Sequence, residues 1–330
     1  MSDLEKTVHY TTKSDIIFRN LVDYIPKGVS FIEPFVGGGD LLNLFPDEKW
    51  EKYDIEDKGN NIIQDTLKNP PDYHNKWVVT NPPYLAKNKA SDKEIYNKYN
   101  VDDLYKAALV SILDCAGGLI IIPTNFFTDE RTGKVRTQFL NQFKILEMNV
   151  FTEPVFETTT YSVCSFAFCR KDYSAREQEF VVNILPKGES NEIIISPKYD
   201  YRIAGEFYSD IESSKNIFGR LVGSESKDYI TNIKLYALDT RVERIRVEYE
   251  SEHYCGKQTD RVYATLTCKF ELTEEQEYFL INEFNRQLED FRKKYFDLSM
   301  TNYRDFNRKR IGFTFAYKLM SKIYFENYGH

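Results

Sequence analysis

Residues 29–40 read "VSFIEPFVGGGD". An apolar run ends at an acid, Glu33, and a proline. Three glycines, Gly37, Gly38 and Gly39, then turn the chain before a stretch of helical character. Glycines in that position let a ligand approach the backbone closely, between the C-terminal end of a strand and the start of a helix. A plain tight turn uses the same residues, so the surrounding pattern has to decide. The pattern is not G-x-x-x-x-G-K-[ST], which disfavours a P-loop.

Working outward, short apolar runs alternate with helical stretches through about residue 170. Strands are expected over 29–35, 50–55, 61–65, 76–80, 118–124, 144–150 and 161–169, and helices over 14–24, 39–45, 101–116 and 133–143. Such alternation predicts an α/β, mostly parallel sheet with helices on both faces. The run "YSVCSFAFC" has no helix before it and reads as an antiparallel edge strand of a seven-stranded sheet. Beyond the polar stretch "KDYSAREQE" the segments are short and strand-like, and include "EFVVNIL" and "EIIIS". A clear helix follows, opened by a Thr273–Gln276 capping box, with Phe284, Leu288, Phe291 and Tyr295 on one face. The expected division is residues 1–175 and a C-terminal α+β domain over 176–330.

Composition narrows the class. The chain has 330 residues, 42% hydrophobic, 29% charged and 15% aromatic, with net charge −7. From Arg176 onward there are 24 basic and 26 acidic residues, so the acidity is concentrated in the first half. This argues against a chain that coats nucleic acid everywhere, and leaves room for a local basic cleft. Five cysteines without a C-x-x-C pair read as reduced thiols, and the four histidines do not cluster, so no metal is expected. No membrane span or signal-peptide core is visible, and a cytoplasmic location is expected.

Two further acids stand at strand ends. Asp54 ends "WEKYD", placed to accept bonds from both ribose hydroxyls of a nucleoside cofactor, and Asp65 ends "NIIQD", placed to accept from an adenine amino group. Residues 78–84, "VVTNPPY", add a different chemistry. Proline has no N–H and a fixed φ, and restricts the residue before it. Asn81-Pro82-Pro83-Tyr84 is therefore a rigid segment rich in acceptors, with a ring beside it. It suits a planar group that offers an N–H₂ and stacks on Tyr84.

Taken together, these motifs resemble the S-adenosylmethionine-dependent DNA methyltransferases that modify the N6 amino group of adenine. The resemblance covers roughly residues 9–170. The motif order, with the C-terminal extension, looks like the γ class of that family. It implies a Rossmann-like methyltransferase fold, S-adenosyl-L-methionine as cofactor, and a target-recognition domain in the second half. By the same resemblance, Thr12, Lys13, Glu33, Phe35, Gly37 and Gly39 surround the methionine end of the cofactor. Asp54 and Ile55 hold its ribose and adenine, and Asp65 and Thr66 its amino edge. Asn81, Pro82, Pro83 and Tyr84 are catalytic, with Asn81 also at the cofactor, and Tyr84 and Phe156 hold a flipped-out base. The family's adenine-pocket aromatic falls at Ala108, which leaves that wall unassigned. Double-stranded DNA is the implied partner. A restriction-modification system, with a cognate restriction endonuclease acting separately, or a viral modification system is the implied setting.

Basic residues interleaved with aromatics, at Arg241, Arg244, Arg246, Arg292, Lys293, Lys294, Arg304, Arg308, Lys309 and Arg310, are candidates for phosphate contact. Of these, Arg304, Arg308, Lys309 and Arg310 are the first choice for DNA binding. Alternatives remain open: an RNA adenine methyltransferase, a protein-glutamine methyltransferase, a DNA cytosine-N4 methyltransferase, or a binding protein that has kept the fold without catalysis.

Overall fold

The computed structural model describes residues 14–156, 162–172, 176–223, 226–240, 242–298, 300–302 and 308–329. The chain divides into two compact units, Met1–Ile203 and Ala204–His330.

The first unit is built on one sheet. Its early elements are α1 (Ser14–Phe18), β1 (Phe31–Glu33), β2 (Trp50–Asp54), β3 (Ile62–Ile63), β4 (Trp77–Thr80), α2 (Glu94–Tyr99) and α3 (Leu104–Ser111). Then come β5 (Gly117–Pro123), α4 (Asn125–Thr128), α5 (Gly133–Gln142), β6 (Phe143–Phe151), β7 (Val163–Arg170), β8 (Gln178–Leu185) and β9 (Glu189–Ile195). Strand order is β3-β2-β1-β4-β5-β7-β6-β8-β9. The pairs from β3 through β5 are parallel, and β7 is antiparallel to both β5 and β6. Every residue of β1, β4 and β5 is buried, as expected of central strands covered on both faces. The expected α/β, Rossmann-like fold is therefore present. The order reverses between β1 and β4, the switch point outside which open α/β sheets bind ligands.

Three expectations are corrected. The antiparallel strand β7 is interior rather than at the edge, because it pairs with β5 on one side and β6 on the other; β8 then pairs in parallel with the far side of β6, with Glu147 opposite Val181 and Phe151 opposite Leu185. β9 then returns antiparallel on β8. The sheet has nine strands, and the boundary moves from 175/176 to 203/204. The segments "EFVVNIL" and "EIIIS", assigned to the second half, complete the first sheet. Among the helices, residues Asp40–Leu44 form a 3-10 turn, and 14–24 begins as α1 and tightens to 3-10 over Arg19–Tyr24.

The second unit has α6 (Gly205–Ser213), an antiparallel sheet of β10 (Phe218–Arg220), β11 (Tyr229–Tyr236), β12 (Arg246–Tyr249) and β13 (Tyr263–Cys268), then α7 (Glu274–Lys294), a ribbon of β14 (Thr301–Asn302) and β15 (Lys309–Arg310), and α8 (Phe313–Tyr328). The sheet order is β10-β13-β11-β12. The capping box on α7 is present, and Phe284, Leu288 and Phe291 are buried along its inner face. Among the described residues no helix is long and apolar enough to cross a membrane.

Candidate active site

A cavity of about 410 Å³ opens at the switch point. Its floor is the turn after β1. Gly37 and Gly39 adopt φ of +53° and +78°, a left-handed backbone that other residues reach only with strain. The turn is tied to β2 by its own backbone. The Gly37 N–H donates to Asp54 Oδ2 at 2.8 Å, the Val36 N–H donates to the Tyr53 carbonyl, and Asp54 Oδ1 accepts the Glu56 N–H. Asp54 thus shapes the glycine turn as well as lining the cavity.

Asp65 lines the next part of the wall. Its Oδ1 accepts the Leu67 and Lys68 N–H groups at 3.1 and 3.0 Å. The Thr66 hydroxyl donates to the Pro34 carbonyl at 3.0 Å and anchors this turn against the end of β1. Asn81 and Pro83, just past β4, line the cavity with Phe35, Gly37, Asp54, Ile55, Asp65 and Thr66.

Glu33 and Thr80 couple the two strand ends. The Thr80 hydroxyl donates to Glu33 Oε1 at 2.7 Å, and the Phe35 N–H donates to the same oxygen at 3.0 Å. Glu33 is 1% exposed, and its Oε2 has no partner among the described residues. Burial pushes its carboxyl up to about 8, against the pull of the Thr80 and Phe35 hydrogen bonds.

Several expected residues lie elsewhere. Glu33, Gly39, Pro82, Tyr84 and Phe156 are not in the cavity wall. The Tyr84 ring is 4% exposed and packs its edge against Tyr105, with centroids 6.2 Å apart. Its hydroxyl lies 2.7 Å from Asn81 Oδ1 and 2.9 Å from the Ile121 carbonyl. Burial holds that hydroxyl protonated well above the ordinary tyrosine range. The flat face expected for stacking is buried in this arrangement, because the hydroxyl reaches down to a core strand. Phe156 is buried as well. Thr12 and Lys13 lie outside the described residues.

The wall left unassigned at Ala108 is made by Leu85, Ala90, Ile95, Tyr96 and Leu104; Ala108 itself is buried in α3. The sequence signal for this wall was weak. "NKASDKEIYNKYN" is polar and short, with only Ile95, Tyr96 and Tyr99 as large apolar anchors. The segment leaving Tyr84 is held at its start by Asp103, whose Oδ1 accepts the Leu85 N–H at 3.2 Å. Burial pushes the Asp103 carboxyl up to about 6.

In the second unit the basic residues are mostly occupied by acids. Arg292 is buried and makes a two-pronged pair with Asp239 at 2.8 and 2.7 Å, and pairs with Asp297 as well. Arg244 pairs with Glu289 and Asp297, and Arg246 with Glu243 and Glu248. Arg308 donates to the Asp239 carbonyl, and burial lowers the Lys309 amine to about 8. Lys309 and Arg310 form β15. Arg241 and Arg304 lie outside the described residues. Arg244, Arg246 and Arg292, expected as candidates for phosphate contact, are thus each held in ion pairs with acids. Among the described residues no group of His, Cys, Asp and Glu could hold a metal ion.

No protein-family model matches the chain, and no curated protein does. Solved structures overlap it in part. One, described as a modification subunit assigned to a type I restriction enzyme of Vibrio vulnificus, shares 12% identity at a TM-score of 0.43, over 62% of this chain and 52% of that one. A type I restriction-modification methyltransferase subunit from Streptococcus thermophilus shares 14% at 0.40, over 54% and 47%. The type IIG restriction endonuclease BpuSI shares 15% at 0.46, over 68% and 37%. The chain thus spans about half the length of the first of these proteins, or less.

Proposed function

We propose that the chain is an S-adenosylmethionine-dependent methyltransferase that modifies the N6 amino group of adenine in DNA, as the modification half of a restriction-modification or viral system. The observation that carries this reading is the convergence in one cavity of two strand-end carboxylates, Asp54 and Asp65, with the amide of Asn81. The residues fit an adenosyl cofactor. Asp54 supplies acceptors suited to ribose hydroxyls, Asp65 an acceptor suited to an amino edge, and Ile55 an apolar face. When bound, the cofactor supplies an activated methyl group.

The remaining chemistry belongs to the chain. An aromatic amine has its lone pair delocalised into the ring. Accepting its two hydrogens at Asn81 Oδ1 and the Pro82 carbonyl favours a tetrahedral, nucleophilic nitrogen, which is stabilisation by fixed acceptors. Both prolines keep this segment rigid. The Tyr84 hydroxyl has one proton and two oxygens in reach. An amide oxygen carries two lone pairs, so Asn81 Oδ1 can accept from the Tyr84 hydroxyl with one and from the substrate amine with the other. Tyr84 then acts by holding Asn81, without leaving the core. Adenine inside a duplex is out of reach, so the base must be flipped out.

The test is Asn81→Ala. It should leave cofactor binding by calorimetry within about twofold and lower methyl transfer by about 10²-fold or more. Loss of binding instead would make Asn81 a cofactor or folding residue.

A further inference from the structure

The turn that carries Asp65 is held from outside by the end of α2. Lys98 Nζ donates to the Leu67 carbonyl at 3.0 Å and to the Lys68 carbonyl at 2.6 Å. The Tyr99 hydroxyl donates to the same Leu67 carbonyl at 2.8 Å. From the other side, Lys68 Nζ reaches Glu94 at 2.8 Å and Asp92 at 3.7 Å. Leu67 and Lys68 are therefore fixed at both ends of their peptides. Their N–H groups point to Asp65 Oδ1, and their carbonyls point to Lys98 and Tyr99.

The holding element is itself pinned. Asn100, with φ of +53°, ends α2 in the left-handed conformation and donates its N–H to the Asn97 and Tyr96 carbonyls. The Tyr96 hydroxyl donates to the Leu85 carbonyl at 2.9 Å. Burial and the nearby Asp65 carboxylate push the Tyr99 hydroxyl up, so it stays a donor across the neutral range. Two donors on one carbonyl, one of them charged, make a firm grip on a five-residue turn.

We propose that Lys98 and Tyr99 are positioning residues for ligand recognition: by fixing the 65–69 turn they hold the Asp65 carboxylate in the register that selects a ring bearing an exocyclic amino group over one bearing a carbonyl there. This rests on the adenosyl-cofactor reading and goes further, because it assigns the selectivity to residues outside the cavity wall.

The experiment is calorimetry of the full chain with S-adenosylhomocysteine and with its inosyl counterpart, which carries oxygen in place of the amino group. The unmodified chain should favour the adenosyl ligand. Tyr99→Phe with Lys98→Met should cut that preference about tenfold, chiefly by weakening the adenosyl ligand, at an unchanged melting midpoint. Lys98→Arg should retain it. Tyr99→Phe alone, which removes one hydroxyl, should give a partial loss if the double variant does not fold. An unchanged preference, or an equal loss for both ligands, overturns the proposal and leaves the function standing. Failure of the unmodified chain to bind either ligand overturns the cofactor reading, and this inference with it.

Discussion

Glu33 joins a buried carboxyl, an oxygen without a partner among the described residues, and an acidity pushed from 4.5 to about 8 by burial. Its folded value lies above its ordinary one. Its contribution to stability is therefore fully present below about pH 4.5 and is lost as pH rises through about 8. Asp103, pushed up to about 6, acts the same way over a lower window. Glu33→Gln should accordingly flatten the fall in melting temperature between about pH 4.5 and pH 8, while leaving the slope well below pH 4.5 nearly as it was; parallel curves for the two proteins would contradict this. Tyr84 offers a second test at the same scale. Tyr84→Phe keeps the ring and removes only the hydroxyl. If the hydroxyl holds Asn81, transfer should fall by about tenfold or more with cofactor affinity unchanged. Full activity in that variant would favour stacking instead. Asp54, Asp65 and Asn81 were legible because each is a polar residue at the end of an apolar run, where period and position coincide. The buried state of Tyr84 was not, because a ring beside two prolines reads the same whether it faces a cavity or the core.

β5 shows how tightly the central strands approach. A Cβ at Gly118 would lie 2.0 Å from the Val78 carbonyl oxygen, and one at Gly117 would lie 2.5 Å from that of Phe168. Both obstacles are backbone and cannot swing away. Gly118→Ala should cost roughly 2–4 kcal/mol, read as a drop in the denaturant midpoint, and a neutral result would mean that β4 and β5 can separate locally. Seven strands of the first unit fall close to where the apolar runs placed them, most plainly β1, β4 and β5, whose burial on both faces leaves a continuous apolar run. The placement of β8 and β9 was not legible. "EFVVNIL" alternates like any half-buried strand, and nothing local says which sheet edge it will join. The wall from Leu85 to Leu104 escaped for a related reason: α2 has six residues, too few for a periodic signal.

At the scale of the whole molecule, the nine-stranded sheet sets where the chain can be cut. Residues 1–203 should fold alone and keep cofactor affinity. Residues 1–175 lose β8 and β9 and expose the β6 edge, so that fragment should aggregate or melt far lower, as size-exclusion chromatography and thermal melts would show. A soluble, cooperative 1–175 fragment would contradict the boundary. The second unit, with its arginines Arg244, Arg246 and Arg292 held by acids, has a near-balanced surface charge, and its role in recognising DNA is part of the proposal above. The central claim is that the amino group accepted at Asn81 belongs to adenine in DNA. Transfer of a labelled methyl group from S-adenosylmethionine to duplex DNA, RNA and protein substrates, followed by nucleoside analysis, tests it directly. The account predicts label in DNA, recovered as N6-methyladenine and lost with Asn81→Ala; label recovered only in RNA, only in protein, or as N4-methylcytosine would contradict it.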